Sequence, residues 1–275
     1  MDSYLVGLVG TGIGPSLSPA LHEREADLLG LRYLYRRLDL DDLGLPPEQV
    51  GDLLAAARLA GYDGLNVTHP CKQLVLPHLD ELDATAAALG AVNTVVFRDG
   101  TAIGHNTDTT GFARAMHSGL PDVRLGHVVI LGAGGAGAAC AHALGTSRIT
   151  VFDRDEARAA SLVARLGDRA TTGGSIEDAI AHADGLVHAT PTGMDAHPGL
   201  PLPAELLASS LWVADVVYRP LTTALVETAR ARGCRVLDGG RMAVFQAADA
   251  FRLFTGRTPD ADRMLRFFDT LEVRQ

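Results

Sequence analysis

Apolar runs of strand length alternate with amphipathic stretches along the chain. YLVGLVG, YLYRRLDL, GLNVT and AVNTVVF come first, and HVVILG, ITVFD, GLVHAT and WVADVVY follow. Among the stretches between them, PPEQVGDLLAAARLAGY and TTALVETARARGC carry apolar positions at helical spacing. Strands that alternate with helices predict βαβ units and parallel sheets, hence an α/β fold. No repeat or low-complexity segment interrupts the alternation. Residues 104–121, GHNTDTTGFARAMHSGLP, read as a loop and then a helix between two sets of strands, and mark a junction between domains.

The near-absence of charge in VVILGAGGAGAACAHALG, residues 128–145, raises a membrane span as a rival reading. Its glycines and alanines, broken in the middle, favour instead a strand, a tight turn and a close-packed helix. At 275 residues, 47% hydrophobic and 21% charged, the chain has room for one large domain or two ordinary ones, each with its own core. A formal charge of −9 and no Lys/Arg-rich run argue against a nucleic-acid or anionic-membrane partner, because both need concentrated positive charge. Any basic group used on a substrate therefore acts locally. Cys71, Cys140 and Cys234 are odd in number and widely spaced, which suggests neither a disulfide framework nor a zinc site. His22, His69, His78, His105 and His188 show no ligand spacing, so no metal is expected. The opening MDSYLVGLVG lacks the basic region of a signal peptide, and a cytoplasmic location is expected.

Two glycine loops follow apolar strands. In GAGGAG, Gly132, Gly134 and Gly137 form G-x-G-x-x-G and run directly into a helical pattern. The first glycine permits the turn, the second lets a pyrophosphate approach the backbone, and the third lets the helix pack on the strand. About twenty residues past Gly132 the next strand ends in Asp153, placed to accept from a ribose 2′-OH. In GTGIGP, from Gly10, the third glycine comes too soon and Pro15 intervenes before any helix. That loop is expected only to hold SLSP. A carboxylate at Asp153 repels a 2′-phosphate and favours NAD over NADP, although Arg154 and Arg158 are cations that a phosphate could use; their other reading is a solvated helix face.

A nicotinamide exchanges hydride, so the protein must supply a group for the alcohol proton and a pocket for the substrate. Lys72 in NVTHPCK, Asn93 in GAVNTVV and Asp108 in GHNTD are expected at the carboxyl ends of strands, where open α/β sheets bind ligands. Each also has a structural reading. Ser18 before Pro19 resembles a helix cap, Thr68 a turn residue, Asn93 a turn residue, Asp108 a cap for the helix beginning TTGF, and Gln246 a polar position on an amphipathic helix.

Taken together, SLSPALH, NVTHPCK, GAVNTVV, GHNTDTTGF, GAGGAGAA, ATPTGM, DVVYRPLTT and DGGRMAVFQAADAFRLFTG resemble, in order and over nearly the whole chain, the shikimate dehydrogenase family, and most closely its NAD-dependent quinate/shikimate branch. The resemblance implies a two-domain α/β protein with a cleft between the domains. An N-terminal open α/β substrate domain would span residues 1–105 plus 246–275, and a Rossmann-type NAD-binding domain residues 106–245. It further implies that Ser16 and Ser18 hold a substrate carboxylate, that Asn66, Thr68, Asn93, Asp108 and Gln246 bind ring hydroxyls, and that Tyr218 approaches the carboxylate. Lys72 would be the acid-base group, with Asp108 beside it. Gly132, Ala133, Gly134, Gly135, Ala136, Gly137, Asp153, Arg154, Thr190, Pro191, Val216 and Gly239 would contact the cofactor.

The implied reaction interconverts shikimate and 3-dehydroshikimate, or quinate and 3-dehydroquinate. The partner would be a small hydroxylated cyclohexane or cyclohexene carboxylate, and the protein a monomer or homodimer. Three positions depart from the family pattern. DRD places an acid where NADP-using members have Asn-Arg-Thr, Ser18 stands where the quinate branch often has threonine, and His188 stands where most members have asparagine, with a conservative effect expected. An aminated substrate analogue and a ligand-sensing regulator without turnover are the other readings. Retention of both Lys72 and Asp108, and the lack of a basic helix, argue against the regulator.

Overall fold

A computed structural model describes residues 2–272. The chain forms two compact units, Met1–Thr110 with Val244–Gln275, and Gly111–Ala243. The boundaries fall inside two helices, Asp108–Gly119 and Gly239–Thr255.

The first unit carries β1 (Ser3–Gly10), β2 (Arg32–Asp39), β3 (Gly64–Val67), β4 (Glu81–Leu82), β5 (Thr94–Arg98) and β6 (Thr101–His105), in the order β2-β1-β3-β5-β6-β4. β1 lies parallel to β2 and β3, as the alternation predicts. β5, however, runs antiparallel to both β3 and β6. The expectation of purely parallel sheets is corrected here, and the cause is local. Asp99 and Gly100, at φ 50° and 76°, form the two-residue loop between Arg98 and Thr101, the left-handed pair that a tight hairpin requires. The sequence reading passed over this Asp-Gly signal, and β6 with it.

β1 is buried on both faces, which explains its nearly unbroken apolar run. Val6 and Leu8 join Tyr33, Tyr35, Phe251 and Phe254 in one core, whereas Val9 joins Leu65, Val67, Val75 and Val95 in another. The C-terminal helix Ala261–Glu272 returns to the first unit through Arg263, whose Nη2 and Nε donate to the buried Glu25 carboxylate at 2.6 and 3.0 Å. Ser18 does not cap the helix Ser18–Leu28. It is the first helical residue, and its N–H donates to Ser16 Oγ at 3.3 Å.

The second unit carries β7 (His127–Leu131), β8 (Arg148–Phe152), β9 (Ala170–Thr172), β10 (Gly185–His188), β11 (Trp212–Asp215) and β12 (Arg235–Leu237). All are parallel, in the order β12-β11-β10-β7-β8-β9. This is the doubly wound dinucleotide-binding order, with its switch point between β7 and β10. The near-uncharged stretch resolves into β7, a turn and the helix Gly135–Ala143. Among the described residues no helix is long and apolar enough to cross a membrane.

His22 is fully buried in the first unit, with its ring 4.9 Å from that of Tyr35 and 5.9 Å from that of Phe251. Its Nδ1 lies 3.0 Å from the Tyr33 hydroxyl. Burial lowers its pKa from 6.5 to about 3. Below about pH 6.5 the unfolded chain takes up a proton that the folded chain refuses, so stability falls with pH down to about 3, by roughly 1.4 kcal/mol per pH unit. We expect the wild-type protein to lose about 2 kcal/mol more than His22→Phe between pH 7 and pH 5 in denaturant titrations. Equal losses would show that His22 is not the group responsible.

Candidate functional site

Parallel β1 and β3 end at the same edge of the first sheet, so the segments following them emerge side by side, and Thr11 N donates to His69 O at 3.1 Å. Asn93 reaches this edge for the opposite reason. It precedes β5, and because β5 is antiparallel its amino end lies where β3 and β6 finish, with Thr94 opposite both Asn66 and His105. The expectation that these groups all sit at carboxyl ends of strands is thereby corrected for Asn93. Thr68 closes the turn into the helix Cys71–Leu74, its carbonyl accepting from Cys71 N at 2.8 Å. The backbone of Lys72 is fixed in turn, its carbonyl accepting from Val92 N at 2.8 Å.

Lys72 and Asp108, 36 positions apart in the chain, meet here. Lys72 Nζ donates to Asp108 Oδ2 at 2.6 Å, with side chains 19% and 8% exposed. The other oxygen of Asp108 accepts from Asn93 Nδ2 at 2.9 Å. Asn93 Nδ2 also donates to Thr107 Oγ1 at 2.9 Å, and its Oδ1 accepts from Thr107 N at 2.8 Å and Thr94 Oγ1 at 3.0 Å. All four hydrogen-bonding positions of this amide are engaged, which fixes its direction toward Asp108. Behind it, Asn66 Nδ2 donates to Thr94 Oγ1 at 3.0 Å, and Tyr35 donates to Asn66 Oδ1 at 2.8 Å. Asp108 does not cap its helix. Asn106 does, accepting from Asp108 N at 3.1 Å, which leaves the Asp108 carboxylate for Lys72. The sequence reading missed Asn106, although Asn two residues before an acidic helix start is a cap signal. Next to Lys72, burial and then Glu48 push the Cys71 thiol up to about 11, so that it remains protonated near neutral pH.

Ser16 is buried and Ser18 half-buried, in the segment between β1 and the helix Ser18–Leu28. Gln246 lies in the first unit on the helix Gly239–Thr255, one turn before Asp249. Asp249 Oδ2 accepts from Thr110 Oγ1 at 2.5 Å, which ties that face of the helix to the residues after Asp108. Tyr218, half-buried on the segment after β11, belongs to the second unit.

In the second unit, the expected cofactor residues line the carboxyl edge of the sheet. Gly132 has φ 104°, and a Cβ there would come within 2.6 Å of Ala189 O. A Cβ on Gly137 would overlap the Gly132 carbonyl oxygen, whereas one on Gly134 meets nothing within 4 Å. The three glycines thus supply a turn, an open face and a close helix contact. No side chain caps the N-terminus of the helix Gly135–Ala143, the end at which a helix carries unpaired N–H groups. Asp153 accepts from Ala133 N at 2.6 Å and Asp155 N at 2.9 Å, and each oxygen keeps a second lone pair. Arg154 is exposed, and Arg158 Nε pairs with Asp155 at 3.2 Å. Thr190 and Pro191 follow β10, Val216 follows β11, and Gly239 packs against the Val216 and Val217 carbonyls. In the first glycine loop, by contrast, the N–H groups of Gly12 and Ile13 donate to Asp39 at 3.1 and 2.7 Å. An internal carboxylate already occupies the donors that a phosphate would need.

Among the described residues no group of three or more His, Cys, Asp or Glu side chains forms a metal cluster.

The family model for the shikimate dehydrogenase substrate binding domain matches residues 8–95, and that for the shikimate 5′-dehydrogenase C-terminal domain matches residues 240–266. The chain is 65% identical over 274 residues to the shikimate dehydrogenase (NADP+) of Streptomyces avermitilis, covering 96% of this chain and 94% of that one. It is 50% identical over 281 residues to the quinate/shikimate dehydrogenase (NAD+) of Corynebacterium efficiens, covering 98% and 99%. A solved structure of quinate dehydrogenase from Corynebacterium glutamicum in complex with NAD matches with TM-score 0.90 and 47% identity, over 98% of this chain and 100% of that one.

The glycine geometry separates two kinds of constraint. Gly137→Ala should destabilise the protein by about 3 kcal/mol or prevent folding, because the methyl group meets backbone that cannot move aside. Gly134→Ala should stay within about 1 kcal/mol of wild type. Denaturant midpoints of the two variants check the contrast.

Proposed function

Because the chain belongs to the shikimate dehydrogenase family, we propose that it interconverts shikimate and 3-dehydroshikimate, and quinate and 3-dehydroquinate, with Lys72 and Asp108 as the acid-base pair and NAD as the preferred cofactor. The observation that carries the reading is the shielded Lys72–Asp108 pair, 2.6 Å apart and assembled from separate segments beside Asn66 and Asn93.

In this reading the first unit binds the ring acid. Ser16 and Ser18 hold its carboxylate, while Asn66, Thr68, Asp108 and Gln246 address its hydroxyls and Asn93 acts through Asp108. When bound, the nicotinamide accepts or returns the hydride. In the oxidative direction, Lys72 as an amine takes the proton of the hydroxyl being oxidised. In the reductive direction, Lys72 as an ammonium returns a proton to the developing alkoxide. Asp108 keeps Nζ aimed and balances its charge, and Asn93 keeps Asp108 from turning away.

The second unit binds the dinucleotide. The open face at Gly134 and the uncapped helix N-terminus suit a pyrophosphate. Asp153 retains lone pairs for a ribose 2′-OH and opposes a 2′-phosphate, which supports NAD. The exposed Arg154 and the NADP-named relative at 65% identity favour NADP as a second reading.

Three measurements test these assignments. With Lys72→Ala, kcat should fall by roughly 10²–10⁴-fold while KM for shikimate changes little, since the group acts mainly in the transition state. Retained turnover would remove Lys72 from the mechanism. Assays of shikimate and quinate, each with NAD and NADP, should give the higher kcat/KM with NAD, and equal values would overturn the role given to Asp153. Asp153→Asn, which keeps an acceptor for Ala133 N, should shift the NADP-to-NAD ratio of kcat/KM upward by about tenfold.

A further inference from the structure

His188 is the last residue of β10 and is 0% exposed. It stands opposite Leu131 of β7 and Asp215 of β11, at the switch point of the second sheet. Its Nδ1 lies 2.9 Å from Asp215 Oδ1 and its Nε2 2.6 Å from Thr190 Oγ1. A carboxylate only accepts, so the Nδ1 proton is assigned to the Asp215 bond, and in the neutral ring Nε2 accepts from the Thr190 hydroxyl. Asp215 is itself fixed, accepting from Thr223 Oγ1 at 2.6 Å and Val217 N at 3.0 Å. Thr223 in turn caps the helix Ala224–Ala231, accepting from Val226 N at 3.1 Å.

The ring is thus held on the Asp215 side and holds Thr190 on the other. Thr190 forms part of the wall of the glycine turn. A Cβ placed on Gly132 would meet Ala189 O at 2.6 Å and Thr190 Cγ2 at 3.1 Å. With its hydroxyl committed to His188, Thr190 keeps its methyl group toward Gly132. Without that partner, only the longer 3.3 Å bond from Thr192 N holds the hydroxyl, and the β-branched side chain can exchange hydroxyl and methyl between staggered wells and change the surface beside the turn.

We propose that His188 is a positioning residue for dinucleotide binding, acting through Thr190 on the wall of the Gly132 turn. The proposal rests on reading this loop as the cofactor site. Asparagine reaches the position of Nδ1 but not that of Nε2, so His188→Asn keeps a bond to Asp215 and releases Thr190. Glutamine reaches the position of Nε2 and restores the Thr190 bond.

The test is calorimetric titration of the full-length protein with NAD. Loss of one hydrogen bond's worth of organisation predicts that His188→Asn and Thr190→Val each weaken binding about fivefold to tenfold, and that the double variant is no weaker than either single one. His188→Gln should recover most of the affinity, and KM for shikimate at saturating NAD should change by less than about twofold in all of them. Unchanged NAD affinity in His188→Asn, multiplying losses in the double variant, no recovery in His188→Gln, or a parallel rise in KM for shikimate would each overturn the proposal. Gly134→Val serves as the control for the underlying reading, because its side chain enters open space where the pyrophosphate would lie. If Gly134→Val still binds NAD, the cofactor site itself is misplaced. If it loses NAD while His188→Asn retains it, only the role of His188 fails.

Discussion

Two opposite charges with most of their side-chain surface removed from water are stable only together, and that constraint organises the first unit. The Lys72–Asp108 bond is short and shielded. Leaving either partner alone would strand a charge in a poorly solvated place, at a cost of several kcal/mol. The surroundings serve the pair accordingly. Asn93 donates to the second oxygen of Asp108, Thr107 and Thr94 hold Asn93, and Asn66 and Tyr35 stand behind them. Asn106 takes over the helix-capping task that would otherwise compete for the Asp108 carboxylate. In the proposed mechanism, a proton-transfer group held in this way needs little reorganisation when a hydroxyl arrives.

The two glycine loops show how similar local sequence acquires different uses. Each follows a buried parallel strand, and in each an aspartate at or just past the end of the next strand accepts loop N–H groups. Asp39 takes the N–H of both Gly12 and Ile13, whereas Asp153 takes only that of Ala133 from its loop. The remaining donors of the second loop then sit at the start of a nine-residue helix over an open glycine face. The difference lies in which donors remain available, and spacing alone hinted at it through the early third glycine and Pro15.

Local reading erred in some places because a neighbouring residue took the role, and in others because a distant partner did. Ser18-Pro19 has the composition of a cap, yet Ser18 is already the first helical residue and no side chain caps that helix, while Ser16 Oγ accepts from Ser18 N. Asp108 has the composition of a cap too, but Lys72 claims it. The antiparallel β5–β6 hairpin was written plainly in Asp99-Gly100, and the alternation of strands and helices drew attention away from it. His188 is bonded at both ring nitrogens, an arrangement that depends on Asp215, 27 positions away.

The amino-acid sequence by itself determined the α/β class, the order of its principal strands, the glycine turn before a helix and the family to which the chain belongs. These follow from periodicities and spacings that act over a few residues, or from ordered motifs read along the chain. Only the tertiary structure decided that Lys72 claims the Asp108 carboxylate, that Asn93 is spent on Asp108, and that Asp39 closes one glycine loop while the other stays open. Each of these outcomes is a competition among hydrogen-bond partners distant in sequence. Such competitions are settled by which groups the sheet brings within about 3 Å of one another, a distance that no local pattern encodes.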